Sequence, residues 1–361
     1  MPRTRSLPLL LGLLLLLFAC RCSKTGCYVQ VPFGPLEYRD PCPTPTPPPP
    51  PHATVGQEYR QGTLGWFEKP IGDFYWSADG RSIFVFALSM KEVQQLSVPD
   101  GALMQTYSGN TDVINALAVS PDGQWLVTGA HGNPIRLWRV GNTKAEREIP
   151  VTLPGVQALA FSRNSKTFGA GLGDPLNFEP KDKALELYRV TDGARVWSVP
   201  YERTPHSLSF SPDGKAVAVL TDLFNVRVHS AATGVLLFEK AIGGAPHTVT
   251  YSADGKWFAV STYLGVFLFS AEGELKSRFE DTQGLLAFTP DGKRLVSAAL
   301  DINVRNVSDG KLWRAMTEPD VQRARVSPDG AVLATTSWLP GAQYPPDYRF
   351  HVQLWRMTEA P

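Results

Sequence analysis

From about residue 64 to its end, the chain is built of short runs in which apolar and polar residues alternate, and each run is cut by a tight-turn signal. Before the turns stand Ala116-Leu117-Ala118-Val119, Ala158-Leu159-Ala160-Phe161, Ser207-Leu208-Ser209-Phe210 and Thr248-Val249-Thr250-Tyr251. After them stand Trp125-Leu126-Val127, Ala216-Val217-Ala218-Val219 and Trp257-Phe258-Ala259-Val260. A period of two over such short runs predicts half-buried strands, paired as hairpins across the turn. The turn itself is Ser-Pro-Asp-Gly at 120–123, 211–214 and 327–330, Thr289-Pro290-Asp291-Gly292, and Ser-Ala-Asp-Gly at 77–80 and 252–255. Ser162-Arg163-Asn164-Ser165 is degenerate but falls in phase. Pro presets φ, Asp folds its carboxylate back onto backbone N–H groups, and Gly takes the exit at positive φ. A third strand follows, as in Ile135-Arg136-Leu137-Trp138 and Leu185-Glu186-Leu187-Tyr188; a second Gly-bearing turn comes next, then a fourth strand such as Leu236-Leu237-Phe238.

The seven turns start at 77, 120, 162, 211, 252, 289 and 327. A period near forty with four strands per unit predicts an all-β chain, a seven-bladed β-propeller of four-stranded antiparallel blades over 58–361. The seventh unit stops after its third strand, while a spare apolar segment, Leu64-Gly65-Trp66-Phe67, precedes the first turn. The expectation is that this N-terminal strand completes the last blade and removes the open sheet edges.

With these residues in view, the units resemble the WD-repeat family, most clearly from Val113 to Val140. The departures are specific. Third strands end Trp138-Arg139, Tyr188-Arg189, His229-Ser230, Phe269-Ser270 and Trp355-Arg356 rather than Trp-Asp, and the Gly-His pair is absent. Asp301 is the clearest match to the family's b–c turn aspartate. The pattern is also similar to bacterial envelope propellers of the Tol–Pal type and to quinoprotein-like propellers. The WD-repeat resemblance implies a non-catalytic protein-interaction scaffold.

The N-terminus points to export. Arg3 and Arg5 precede a run from Leu7 to Phe18 that is shorter than the roughly 20 residues a helical span needs, and it fits the h-region of a signal peptide over 1–19. Leu17-Phe18-Ala19-Cys20 resembles a bacterial lipobox, which implies cleavage before Cys20 and its lipidation. More than one acyl chain then gives stable anchoring. Arg21 after the cysteine favours the outer membrane under a Gram-negative sorting rule. Residues 20–57 read as a Cys- and Pro-rich tether, with 43–51 a stiff polyproline II rod. With Cys20 lipidated, Cys22, Cys27 and Cys42 remain; any one pairing leaves an odd thiol, and Cys27–Cys42 is slightly favoured.

A net charge of +1 argues against a general nucleic-acid binder. No G-x-S-x-G, H-E-x-x-H, P-loop or EF-hand motif is present, so no catalytic residue and no cofactor is expected. Gly169, Gly171 and Gly173 lead into Asp174-Pro175 rather than a helix, which argues against a dinucleotide site.

Two features of the face opposite the Pro-Asp-Gly turns stand out. At the entry of each innermost strand the aligned residues are Gly72, Asn115, Gln157, His206, His247, Gly284 and Gln322, a polar ring at the channel mouth. Two imidazoles without a nearby carboxylate make an incomplete metal set, so no metal is expected. Two long b–c connections emerge there, 171–183 with Asn177 and Phe178, and 338–350 with Trp338, Tyr344, Tyr348, Arg349 and Phe350. Long loops on a rigid scaffold often bind, and these residue types are enriched at interface anchors. The expected function is that of a cell-envelope lipoprotein, held to the membrane by its lipid and capturing an envelope protein on this face. The alternatives are a quinoprotein-like or lactonase-like propeller enzyme and a glycan- or peptidoglycan-binding module.

Overall fold

A computed structural model of the chain describes residues 20–23, 26–31, 34–38, 59–67, 69–132, 134–151, 153, 155–174, 182–280, 284–298, 301–318, 321–338 and 350–358. It divides into two units, Met1–Ala53 and Thr54–Pro361.

In the first unit, Cys20–Ser23, Gly26–Val31 and Gly34–Tyr38 pair in order as a three-stranded antiparallel sheet. These strands fall within the residues expected as a Cys- and Pro-rich tether, 20–57. Tyr28, Val29 and Val31 are aromatic or β-branched and favour a strand, a local signal the neighbouring prolines obscure. The register sets Cys22 opposite Cys27; Cys42 and the proline run lie outside the described residues.

Among the described residues of the second unit there are seven four-stranded antiparallel sheets. They are numbered here as blades 1 to 7, with strands a to d from the channel outward. Blade 1 runs Ile71–Trp76, Ser82–Ala87, Val93–Ser97 and Leu103–Tyr107. Strand b is buried nearly throughout and strand c mostly so, because each blade is sandwiched between two others; strand d exposes alternate residues at the rim. Blade 7 is built from Arg323–Val326, Val332–Trp338, Phe350–Arg356 and, as its strand d, Arg60–Phe67. The expected closure is therefore present, and it is longer than the four apolar residues that signalled it. Leu64 is fully buried opposite Val352, in one cluster with Ile71, Phe74 and Val85 of blade 1. Gln353, also fully buried, accepts from Arg60 Nε at 2.6 Å and Thr63 Oγ1 at 3.1 Å, and donates to the Gly62 carbonyl at 2.6 Å.

The repeated turn works as its chemistry requires. The first Ser or Thr donates to the Asp or Asn two residues on, at 2.5 to 2.8 Å. That oxygen also accepts the amide two residues further along at 2.9 to 3.1 Å. Hydrogen bonds from Ser77, Ser211 and Ser327 hold Asp79, Asp213 and Asp329 below the usual carboxylate range. For Asp254 and Asp291, burial pushes upward, but the same hydroxyl, amide and lysine contacts outweigh it. In the degenerate copy Asn164 does the carboxylate's work, and Ser165 takes the glycine's place with φ 58°. Its hydroxyl accepts the Asp122 amide of blade 2 at 3.1 Å, which offsets part of that backbone strain.

The glycine run 169–173 also has a packing cause. A Cβ on Gly171 would stand 2.2 Å from the Pro205 carbonyl oxygen, where blade 4 approaches blade 3. Gly169 faces Phe210 and Leu208 of that same blade.

Candidate functional site

In blades 1, 2, 3 and 5 strand a enters through a β-bulge. Ile71 and Asp73 pair with successive residues of strand b, so Gly72 is extra; Asn115, Gln157 and His247 are extra in the same way. In blades 4 and 7 the His206 and Gln322 amides donate to the carbonyls of Leu220 and Thr336, which also face Ser207 and Arg323. A bulge re-aims its side chain, and Asn115, Gln157, His206 and His247 line a central channel of about 700 Å³. Gln322 is exposed and is not part of that wall.

His206 and His247, in neighbouring blades, sit within each other's field. Burial is the first cause that lowers both imidazoles below the ordinary histidine value, and His206 depresses His247 further. The Asp222 carboxylate lies 3.7 Å from His206 Nε2 and pulls the other way. The expectation of imidazoles without a nearby carboxylate is thus corrected: the b–c loop of blade 4 brings Asp222 to the mouth. Among the described residues, no group of three or more His, Cys, Asp or Glu is arranged to hold a metal.

Around this mouth the b–c loops expose large apolar side chains: Phe224 at 61%, Tyr263 at 61% and Leu264 at 51%. Residues 242–245 link blades 4 and 5 between them. The Ile242 amide bonds the Phe224 carbonyl, a Cβ on Gly244 would touch Leu264 at 3.0 Å, and the Tyr263 amide bonds the Ala245 carbonyl. Tyr263 meets the His247 ring edge-on at 4.2 Å. Blades 4 and 5 therefore carry a joined aromatic and imidazole surface that sequence reasoning missed. Its signal was present, since Phe224 and Tyr263 are large apolar residues in short b–c turns with no strand to join.

Of the expected loop residues, Asn177, Phe178, Tyr344, Tyr348 and Arg349 lie outside the described residues. Trp338 ends strand b of blade 7 opposite Phe350. Phe350 is 6% exposed and belongs to the core cluster of blades 7 and 1, so it is a packing residue rather than an anchor. The reason is register: strand c begins at Phe350, which pairs with Phe67 of the closing strand.

Among the described residues, one cluster bears on the alternative of an enzyme. Ser337 and His351 of blade 7 meet Glu318 of the connection from blade 6, with His351 Nε2 at 3.3 Å from both Ser337 Oγ and Glu318 Oε1. All three are buried, and the Ser337 hydroxyl donates to Glu318 rather than to the imidazole. A nucleophile needs a base as its acceptor and a path for substrate, so this cluster ties strands b and c of blade 7 to the connection from blade 6. A second tie, Trp138 Nε1 to Thr128 Oγ1 at 3.0 Å and Thr128 to Asn110 Oδ1 at 3.3 Å, links strands c and b of blade 2 to the loop before strand a.

Blades, closure and channel define a seven-bladed β-propeller. Residues 101–139 match the model of the WD domain, G-beta repeat. The chain is 44% identical over 45 residues to ribosome biogenesis protein BOP1 of Homo sapiens (12% of this chain, 6% of that protein). It is 28% identical over 236 residues to periodic tryptophan protein 2 of Arabidopsis thaliana (62% and 25%). To COMPASS component SWD2 of Saccharomyces cerevisiae it is 23% identical over 161 residues (43% and 47%). The chain thus spans less than half the length of each of these relatives. A similar solved structure is the Cps50 (Swd1) β-propeller domain of Myceliophteria thermophila, with TM-score 0.66 and 16% identity, covering 83% of this chain and 99% of that one. These relatives are eukaryotic and lend the bacterial envelope context no support; that context rests on the N-terminal residues.

Proposed function

We propose that the chain is a non-catalytic docking platform that captures a protein partner on the face opposite the Ser-Pro-Asp-Gly turns. The observation that carries this reading is the exposed group Phe224, Tyr263 and Leu264 beside His206 and His247. Solvent-exposed aromatics that a partner desolvates contribute about 2 kcal/mol or more each, whereas scattered rim charges contribute little. The 338–350 loop, with Tyr344 and Tyr348, belongs to the same proposed surface by its place after strand b of blade 7. Replacing Phe224 and Tyr263 together with Ala is expected to weaken partner capture by roughly 30-fold or more. Lys215 and Lys293 lie beside turns on the opposite face, and their replacement is expected to change nothing. Quantitative pull-down from solubilised membranes, with circular dichroism to verify folding, measures both. Loss of capture in the lysine variant with retention in the aromatic one would assign the wrong face.

The proposal places this platform in a bacterial cell envelope, lipid-anchored through Cys20 and, by Arg21, in the outer membrane. The support is the sequence Leu17-Phe18-Ala19-Cys20 after an apolar run. Cys20→Ala is expected to abolish lipid labelling and to leave the signal unprocessed by the lipoprotein route. A wild-type protein that partitions into water on detergent phase separation would refute the anchor.

A further inference from the structure

The wall of the central channel is uneven. Counting on from the aligned entry positions Gly72, Asn115, Gln157, His206, His247, Gly284 and Gln322, the first and third residues that follow repeat around the ring. In blades 2 to 6 these positions carry Ala, Ser, Thr and one Leu. In blades 1 and 7 they carry Asp73, Tyr75, Arg323 and Arg325, all of which line the channel. Two guanidiniums there share one carboxylate: Arg325 Nη2 is 2.8 Å from Asp73 Oδ2, and Arg323 Nε is 3.6 Å from Asp73 Oδ1. The Arg325 guanidinium also lies 3.6 Å over the Tyr75 ring, and its Nε is buried with no hydrogen-bond partner among the described residues. Arg163 is a third arginine on the wall, and Asp73 is the one carboxylate among the described lining residues.

A clasp between the first and last blades needs one arginine for Asp73. The second leaves net positive charge in a confined space, inside a protein whose formal charge is only +1. Low-dielectric walls focus such a field and concentrate anions, and guanidinium forks match the oxygens of phosphate and carboxylate. Half the ring away, Ser207 Oγ and Ser209 Oγ accept the Val249 and Tyr251 amides; Ser207 Oγ also shares a hydrogen bond with Thr248 Oγ1 at 3.4 Å, while the Ser209 hydroxyl proton faces the channel as a donor. The volume of about 700 Å³ is that of a small-molecule site.

We propose that the channel holds a small oxyanionic ligand, bearing phosphate or carboxylate groups, seated on Arg323 and Arg325 and admitted past Asn115, Gln157, His206 and His247. His206 and His247 border both the mouth and the partner surface, but Asp73, Arg323 and Arg325 lie on the channel wall in blades 1 and 7, so their variants test this proposal apart from partner capture. The test titrates inorganic phosphate and citrate, with glucose as a neutral control, into the full chain by calorimetry and thermal shift at matched ionic strength. Phosphate or citrate is expected to bind and to raise the melting temperature, while glucose does neither. The double variant R323Q/R325Q is expected to lose affinity roughly tenfold or more, since charge-assisted pairs are removed. D73N is expected to bind several-fold tighter, because the carboxylate that competes for both guanidiniums is gone. Should the double variant unfold, the single R323Q, whose guanidinium is the more weakly held by Asp73, and D73N still decide. Unchanged affinity in the arginine variants, weaker binding in D73N, or no response of the wild type to either anion up to about 10 mM overturns the proposal.

Discussion

Deleting residues 58–68 is expected to unfold the whole propeller, while deleting 22–50 leaves its melting temperature nearly unchanged. The first deletion strips blade 7 of the strand that pairs with Phe350–Arg356. It withdraws Leu64 from the core shared by blades 7 and 1, and full burial of such a side chain stabilises by about 1.5–3 kcal/mol. It also takes Arg60, Thr63 and the Gly62 carbonyl away from Gln353, and each buried polar atom left without a partner costs about 1–3 kcal/mol. Against a typical total of about 5–15 kcal/mol these losses are large, and they strike where the ring closes. The second deletion removes residues of the other unit, whose sheet has its own pairing. Differential scanning calorimetry of the two deletions decides; equal effects would contradict the closure.

Gly171→Ala is expected to destabilise by about 3 kcal/mol, the upper end of what overpacking costs. The added Cβ would lie 2.2 Å from the Pro205 carbonyl oxygen, which is backbone and cannot swing aside like a side chain. Gly62→Ala is the control, because a Cβ there meets nothing within 4 Å. Urea denaturation compares the two variants. A G171A protein as stable as G62A would mean that blades 3 and 4 are not packed as described.

The architecture was readable because its signals are local. Ser-Pro-Asp-Gly forms its own hydrogen bonds within about six residues, so the turn chemistry and the count of seven follow from short segments. Closure was readable as a deficit, one strand missing at one end and one spare at the other. The bulges were only half readable. Alignment found the polar position, but a bulge exists only against a partner strand, and its effect on Asn115, Gln157 and His247 needs that partner. The same holds for Phe350, which in sequence looks like the end of an aromatic loop and in the fold is held in the core by its register with Phe67.

What the amino-acid order determined by itself is the blade: alternation for the strands, turn residues for their ends, and a period that repeats the unit. What only the tertiary structure decided is which blades meet. Asp73 and Arg325 are separated by 252 residues and stand 2.8 Å apart, because ring closure brings the first and last inner strands side by side. Asp222 reaches His206, and Tyr263 reaches His247, because a b–c loop returns to the face where strand a begins. Periodicity records the face a residue takes within its own strand; the neighbour across a blade junction is set by the closed ring, whose order is written in no local run of residues.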